Sequence, residues 1–238
     1  MEHAVVTGGA SGIGAAVVDR LCGRGLAVTV FDLAAGPPKE GVEYVALDVT
    51  RRDQVDEAVE AAGRARGVVR RLVTSHGVRG AYVPALDLDA DGVRRMLDVH
   101  VIGTLLTANA VVRGIQRAGG GGSVVTLSST TAYGGWAQQS DYGVAKAAVR
   151  QLTENLAIEW APLGVRVNSV APAHTLTPML QQLIDQGYDI SATERRIPLG
   201  RLCTPDEMAA SIEHLLLDAS FVTGVCLPVD GGWTAVGK

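Results

Sequence analysis

Short runs that are mostly rich in valine and leucine alternate with stretches that carry an apolar face at helical spacing, and this alternation restricts the fold most. Runs of this kind are typical of strands covered on both faces. The predicted strands are His3–Thr7, Ala27–Phe31, Val42–Leu47, Arg71–Ser75, Ser123–Ser128, Arg166–Val170 and Val225–Pro228. The alternation predicts an α/β fold with a doubly wound, mostly parallel sheet of about seven strands, right-handed crossovers and helices on both faces.

Among the helical stretches, Met96–Gln116 and Asp141–Trp160 are the longest. A third, Pro205–Leu217, starts with Thr204 as the predicted N-cap and has proline at its first helical position. No break in composition suggests a linker, so residues 1–238 are predicted to form a single domain. Leu176–Pro198 departs from the strand–helix alternation, and it could either cover a ligand crevice or be a plain surface insertion.

Composition excludes several classes of protein. The formal net charge of −4 disfavours a general role on nucleic acid or on an anionic membrane. No apolar run reaches ~18 residues, and the N-terminus shows no signal-peptide pattern. The three cysteines have no metal-binding spacing, so the sequence predicts no metal site and a reduced, cytoplasmic setting.

A glycine-rich turn, Thr7-Gly-Gly-Ala-Ser-Gly-Ile-Gly14, follows the first predicted strand and opens the first helix. Glycines let the backbone approach a pyrophosphate, and the helix N-terminus offers free N–H groups and a positive dipole. The turn therefore predicts dinucleotide binding, although a tight turn without a ligand has the same pattern. The candidate cofactor-binding residues here are Gly8, Ser11, Gly12, Ile13 and Gly14.

Asp32, at the end of the second strand, predicts which dinucleotide binds. A carboxylate at this position accepts hydrogen bonds from the ribose hydroxyls of NAD and repels a 2′-phosphate. No Lys or Arg lies in the glycine turn, and none follows Asp32 before Lys39, so NAD is predicted over NADP. Asp48, with Val49 beside it, could meet the adenine amino group or could cap the next segment.

Tyr142 and Lys146 stand four residues apart in a predicted helix, and Ser129 precedes the tyrosine by thirteen positions. Residues at i and i+4 share one helix face, so the phenol and the ammonium should point the same way. A nearby positive charge favours the phenolate and would lower the tyrosine pKa from its usual value of about 10. Ser129 could donate a hydrogen bond to the same substrate oxygen. Because this spacing also occurs by chance, it gains weight only from the rest of the chain.

Together these features resemble the short-chain dehydrogenases/reductases from end to end. The matching features are the glycine turn, Asp48, Ser129, Tyr142, Lys146, Asn168–Pro172, Thr177–Met179 and Val229–Gly232. The resemblance implies hydride transfer with Tyr142 as general acid/base, Lys146 lowering its pKa and holding the nicotinamide ribose, and Ser129 orienting the substrate oxygen. It also implies assembly as a homodimer or homotetramer, and further cofactor contacts from Tyr142, Lys146, Pro172, Thr175 and Thr177.

The chain departs from the family pattern at three positions. His76 replaces the alanine of the usual Asn-Asn-Ala-Gly string, and it could contact cofactor or substrate or simply fill space. His100 stands where the family has an asparagine that is thought to hold a water molecule of a proton relay. Imidazole donates and accepts hydrogen bonds and titrates near neutrality, so His100 could serve this relay or be a structural histidine. Ala173 follows Pro172 where glycine is common, which narrows backbone freedom.

The expected function is an NAD-dependent oxidoreductase that interconverts a secondary alcohol and a ketone. The pocket is predicted among Ser129, Tyr142, Val78–Tyr82, Tyr133–Gln139 and Leu176–Pro198. Its mostly apolar lining favours a neutral or cyclic alcohol, a polyol or a modest acyl group, although Arg79 and His174 are possible anion contacts. A 3-oxoacyl thioester reductase and a non-catalytic NAD-binding sensor or scaffold are the alternatives.

Overall fold

A computed structural model describes residues 2–187 and 189–236, without the side chain of Met179, which belongs to the Thr177–Met179 motif. Within those residues, seven strands pair in parallel in the order β3-β2-β1-β4-β5-β6-β7. They are β1 (His3–Thr7), β2 (Ala27–Asp32), β3 (Val42–Ala46), β4 (Val69–Thr74), β5 (Gly122–Leu127), β6 (Val165–Pro172) and β7 (Cys226–Val229). The predicted parallel α/β sheet is confirmed.

Helices cover both faces of this sheet. They are α1 (Gly12–Gly23), α2 (Arg52–Arg66), α3 (Ala90–Leu97), α4 (Gly103–Ala118), α5 (Ser140–Trp160), α6 (Pro178–Asp185), α7 (Ser191–Arg196) and α8 (Pro205–Glu213). One buried cluster contains Phe31, Leu72 and Ile115, and a second contains Leu21 and Ile212. Because both faces are buried, the central strands are nearly continuous apolar runs.

The strand order reverses at β1. The chain builds β1, β2 and β3 outward in one direction and then returns to place β4 on the other side of β1. In doubly wound sheets, the loops after such strands diverge and leave a crevice at their carboxyl ends. The loops that follow Thr7 and Thr74 lie on the two sides of this reversal.

The predicted helix Met96–Gln116 differs from the observed structure in two respects. It begins earlier, at Ala90, where the Asp89 side chain accepts hydrogen bonds from the backbone N–H groups of Asp91 and Gly92. It is also interrupted by a π-helical turn, Asp98–Ile102, which periodicity could not reveal. Such turns occur often at functional sites, and this one carries His100.

This helical run, from Ala90 to Ala118, is long and apolar enough to pass a length-and-composition test for a membrane span. However, 56% of its most apolar window is buried inside the fold, as in the core helix of a globular protein.

At α8 the cap is as predicted. The Thr204 side chain accepts a hydrogen bond from the Glu207 N–H, and the Glu207 carboxylate accepts one from the Thr204 N–H, with Pro205 at the first helical position. Segment 176–198, in which Tyr188 lies outside the described residues, contains the two short helices α6 and α7.

Candidate active site

The crevice at the strand reversal is a cavity of about 520 Å³, which is within the usual range for a bound small molecule or cofactor. It brings together all but one of the site residues predicted from sequence. The predicted residues that line it are Gly8, Ser11, Gly12, Ile13, Asp32, Asp48, Val49, His100, Ser129, Tyr142, Lys146, Pro172, Thr175 and Thr177.

The exception is Gly14, which does not line the cavity. A Cβ added to Gly14 would lie 2.1 Å from the carbonyl oxygen of Gly8, so this glycine lets helix α1 pack against the turn. Gly8 itself has φ +66°, and a Cβ there would lie 2.6 Å from the Cα of His76. Gly12, with φ +56°, lies beside the Thr177 side chain. The turn therefore keeps a shallow backbone surface at the N-terminus of α1, which suits a diphosphate.

Asp32 is held by the glycine turn. One of its carboxylate oxygens accepts a hydrogen bond from the Ala10 N–H at 3.0 Å, and the other accepts one from the Ala34 N–H at 3.3 Å. The first basic residue after it in the sequence, Lys39, pairs with Asp19 instead. This end of the cavity is thus acidic and fixed.

Asp48 has a local role that the structure shows directly. Its Oδ1 atom accepts hydrogen bonds from the N–H and the hydroxyl of Thr50, at 2.9 and 2.8 Å. These contacts close the turn before α2, whose N-cap residue is Arg51, so Asp48 stabilises the turn rather than capping the helix. The carboxyl group also lines the cavity beside Val49, where the predicted adenine contact would form.

Tyr142 and Lys146 face the same way on α5, as their spacing predicts. The Lys146 ammonium lies 5.5 Å from the centre of the Tyr142 ring and donates a hydrogen bond to the Leu127 carbonyl at 2.8 Å. Burial lowers the pKa of Lys146 to about 7, so the amine gains and loses its proton close to neutral pH.

The pKa of Tyr142 differs from the sequence-based expectation. Burial raises it to about 12, the nearby Tyr82 phenol contributes to this rise, and a hydrogen bond from Ser129 opposes it. The predicted decrease caused by Lys146 is absent, because this amine, with its own pKa of about 7, is already neutral at the pH at which the buried phenol ionises. In the ligand-free protein, Tyr142 is therefore a neutral proton donor at physiological pH.

His76 is a structural bridge. Its Nδ1 atom lies 2.5 Å from the Thr7 hydroxyl and its Nε2 atom lies 3.0 Å from the Val99 carbonyl, so the imidazole links the end of β1 to the π turn. Burial lowers its pKa to about 4, which keeps the ring neutral. These contacts occupy both ring nitrogens, which favours the structural interpretation of His76. The ring also borders the cavity.

His100 does not titrate near neutrality, which corrects the sequence-based argument for its role. Burial first, and then the positive charge of Lys146, lower its pKa to about 2. Its Nε2 atom lies 3.0 Å from the Val78 carbonyl and 3.3 Å from the Val78 N–H, and its Nδ1 atom has no hydrogen-bond partner among the described residues. Any role of His100 is therefore that of a neutral hydrogen-bonding group.

A further residue of the site, Asp141, was not recognised in the sequence. Its carboxylate is 3% exposed and accepts hydrogen bonds from the Ala81 N–H at 2.8 Å and from the Tyr142 N–H at 2.7 Å. A Cβ added to Gly80 would lie 3.1 Å from the Cβ of Tyr142. Asp141 therefore fixes loop 78–82 against the start of α5. An acidic residue in the first turn of a helix was the available signal.

Replacing Asp141 with Ala should loosen this loop. Two backbone N–H groups would lose a buried acceptor, so we expect the free energy of unfolding to fall by about 1–3 kcal/mol. Urea denaturation measures this change. The matched control is Asp98→Ala, which removes an acidic side chain from the π turn. Equal stability of Asp141→Ala and the parent protein would contradict the role assigned to this carboxylate.

Aromatic side chains form one wall of the cavity. Trp136 and His174 line it, with ring centres 5.6 Å apart, and Trp233 packs behind both of them. The Arg196 guanidinium lies 3.6 Å from the centre of the Trp233 ring and links α7 to this cluster. Leu180 and Leu183 from α6 complete the wall. The result is a flat, mostly apolar surface near Tyr142.

The comparisons with known proteins agree with this site. A family model described as enoyl-(acyl carrier protein) reductase matches residues 8–234. A cis-4-hydroxycyclohexanecarboxylate dehydrogenase from Sinomonas cyclohexanicum is 38% identical over 98% of this chain and 96% of its own length. The chain belongs to the short-chain dehydrogenase/reductase family.

Two solved structures show the same fold across nearly the whole chain. A 3-ketoacyl-(acyl-carrier-protein) reductase from Brucella melitensis, complexed with NADH, has a TM-score of 0.89 and 30% identity, and the match covers 98% of each chain. ElxO with NADP bound has a TM-score of 0.93 and 26% identity over 99% of each chain. The present chain is thus an oxidoreductase of a family that uses a nicotinamide dinucleotide, and its glycine turn, helix N-terminus and Asp32 fit such a cofactor.

Proposed function

We propose that this protein is an NAD-dependent dehydrogenase that interconverts a secondary alcohol on a small ring and the corresponding ketone. The observation that carries the proposal is the position of Ser129, Tyr142 and Lys146 on the wall of a crevice that the Asp32 carboxylate also lines. One cavity thus combines groups suited to proton transfer with a cradle for a dinucleotide.

Each residue of this set has a role that follows from its contacts. In alcohol oxidation, Tyr142 acts as its phenolate, after the phenol has released its own proton to solvent. Ser129 then donates a hydrogen bond to the substrate oxygen while the Tyr142 phenolate takes the hydroxyl proton. In ketone reduction, the same phenol returns that proton. Lys146, when protonated, places a positive charge beneath the phenol and favours its anion. The bound nicotinamide supplies the hydride acceptor or donor.

The preference for NAD over NADP rests on charge. Asp32 presents both carboxylate oxygens at the end of β2, and the cavity walls around it are Phe31, Leu33 and Leu47. No cation lines the cavity near Asp32 in the part of the chain that the structure describes, because Lys39 is paired with Asp19. A 2′-phosphate would therefore meet an unbalanced negative charge.

The lining beside Tyr142 supports a ring-shaped substrate. Trp136 and His174 form a flat wall, and segment 176–198 contributes Leu180 and Leu183 to the lining of the same cavity. We propose that this segment covers the bound substrate. The name of the Sinomonas cyclohexanicum relative, cis-4-hydroxycyclohexanecarboxylate dehydrogenase, supports a ring alcohol as the substrate.

A panel assay tests the proposal. Purified protein is mixed with NAD and a series of cyclic and open-chain secondary alcohols, and the absorbance of NADH at 340 nm is recorded; a 3-oxoacyl thioester with NADH or NADPH tests the reductase alternative. We expect oxidation of cyclic alcohols. Turnover confined to the thioester supports the alternative reductase, and cofactor binding without any turnover supports a sensor or scaffold.

We further propose that His100 acts as a neutral hydrogen-bonding group behind Lys146, in place of the family's asparagine. His100→Asn should keep a donor and an acceptor and retain kcat within about threefold, whereas His100→Phe loses both contacts to Val78 and should lower kcat about tenfold or more. The pH profile of kcat should show the same ionisations in the parent and in both variants, because His100 does not titrate near the usual histidine pKa of about 6.5. An unchanged kcat in the phenylalanine variant would exclude this role.

The expected homodimer or homotetramer has support from the surface of α5. Val144 and Ile158 expose 56% and 75% of their areas, and they lie on one of the two long helices through which the family assembles. Light scattering on the purified protein should give the mass of two or four chains, and the mass of one chain would refute this assembly.

We also propose a cytoplasmic location. The free cysteines Cys22, Cys203 and Cys226 support it, because disulfides are rare in reducing compartments.

A further inference from the structure

The charges that line the cavity are distributed unevenly. Asp32 and Asp48 lie at the nucleotide end, and the Lys146 ammonium is bound to the Leu127 carbonyl. At the substrate end, Arg79 lines the cavity and no carboxylate among the described residues lies within ion-pair distance of its guanidinium. Its guanidinium lies 5.6 Å from the centre of the Tyr82 ring, a contact that leaves its N–H groups available.

The Asp141 carboxylate, which binds this loop at the Ala81 N–H, makes no ion pair with Arg79. Asp141 lies behind the loop, is 3% exposed, and directs its two oxygens to the Ala81 and Tyr142 N–H groups. The side chains that line this part of the cavity, including Trp136, Gln139 and Leu180, carry no negative charge. An anionic substrate group would therefore meet an unbalanced positive charge here.

The loop that carries Arg79 is fixed at both of its ends. On one side, the N–H and carbonyl of Val78 both contact Nε2 of His100. On the other side, the Ala81 N–H is bound to Asp141, and Gly80 packs closely against Tyr142. A recognition group on a fixed loop loses less conformational entropy when it binds, which raises its contribution to affinity.

We propose that Arg79 is a specificity-determining residue that binds a carboxylate or sulfonate on the substrate, so that the preferred substrate is a singly anionic ring alcohol. This inference rests on the proposed function and narrows its substrate class. The planar guanidinium can hold two oxygens of such a group at once, while the ring lies against Trp136 and its hydroxyl faces Tyr142.

Two matched compounds test the inference: cis-4-hydroxycyclohexanecarboxylate and its neutral primary carboxamide. Steady-state kinetics with NAD are measured for the parent protein, Arg79→Gln, Arg79→Lys and Arg64→Gln. Arg64 is an exposed arginine of α2 that does not line the cavity, so its variant controls for the lost charge alone. All four proteins are first compared for melting temperature and for NAD affinity.

In Arg79→Gln we expect KM for the carboxylate to rise about tenfold with kcat nearly unchanged, because a charge-assisted contact to the substrate is lost. KM for the carboxamide should stay the same, Arg79→Lys should lie between parent and Arg79→Gln, and Arg64→Gln should match the parent. Added salt should raise KM for the carboxylate more in the parent than in Arg79→Gln.

The outcomes distinguish the anion contact of Arg79 from the ring-alcohol function on which it rests. If the parent oxidises both compounds and Arg79→Gln changes their KM values equally or not at all, the anion contact is refuted and the ring-alcohol function stands. If the parent reduces no NAD with either compound, the ring-alcohol function fails, and the inference about Arg79 fails with it.

Discussion

Tyr142→Phe should lower kcat for alcohol oxidation by about a thousandfold, which is within the range usually contributed by general acid–base catalysis. The substitution removes the one oxygen that can take the hydroxyl proton and leaves the ring in place, 5.5 Å from the Lys146 ammonium and 5.5 Å from the centre of the His100 ring. Because the pKa of Tyr142 is raised to about 12, the phenolate fraction grows with pH, so kcat/KM of the parent should rise through the alkaline range. The residual rate of the variant should lose that rise. Stopped-flow and steady-state assays across pH measure both effects.

The control for this variant is Tyr44→Phe, which removes a phenol from edge strand β3, outside the cavity lining. It should leave kcat and the pH profile unchanged. Tyr142→Phe should also bind NAD as tightly as the parent, because the proposed cofactor contacts come mainly from the glycine turn and Asp32. If Tyr142→Phe retained more than about a tenth of the parental kcat, the proton would have to reach the substrate oxygen by another route.

The strands were predictable because strands buried on both faces consist of nearly continuous apolar runs, which can be recognised in the sequence. Fully buried positions such as Val5 and Val6 of β1 do not tolerate unpaired polar groups, so runs such as Ala27–Asp32 are apolar almost throughout. The spacing of Tyr142 and Lys146 was equally informative, since helix geometry alone places both on one face. Local rules of this kind locate elements and the residues they carry.

The contacts between distant segments were not predictable in the same way. Asp141 binds Ala81 across 60 positions of sequence, and His76 bridges Thr7 and Val99, so neither contact leaves a local pattern. The raised pKa of Tyr142 and the lowered pKa of His100 share this origin, because desolvation depends on every segment that packs around a group. The role of Gly14 as a packing contact to Gly8 likewise required coordinates.

Replacing Asp32 with Asn should change the choice of cofactor. The carboxylate accepts one backbone hydrogen bond on each oxygen, from Ala10 and Ala34, and it lines the cavity, so its remaining lone pairs are available to a ribose bound there. An amide has only one acceptor oxygen, and its NH₂ group would oppose one of those N–H groups. We expect kcat/KM with NAD to fall about 100-fold, since charge-assisted hydrogen bonds contribute roughly 1.5–3 kcal/mol. Steady-state kinetics with each cofactor measure the ratio.

The same substitution removes the charge that opposes a 2′-phosphate, so kcat/KM with NADP should stay constant or rise while that with NAD falls. Asp53→Asn, an exposed carboxylate on α2 that does not line the cavity, is the matched control and should leave both values unchanged. Equal efficiency of the parent with NAD and NADP would contradict the assignment of Asp32. A parallel loss with both cofactors in Asp32→Asn would instead mean that the carboxylate acts by holding the glycine turn through Ala10, and melting temperatures of the two variants separate that structural effect from recognition of the ribose.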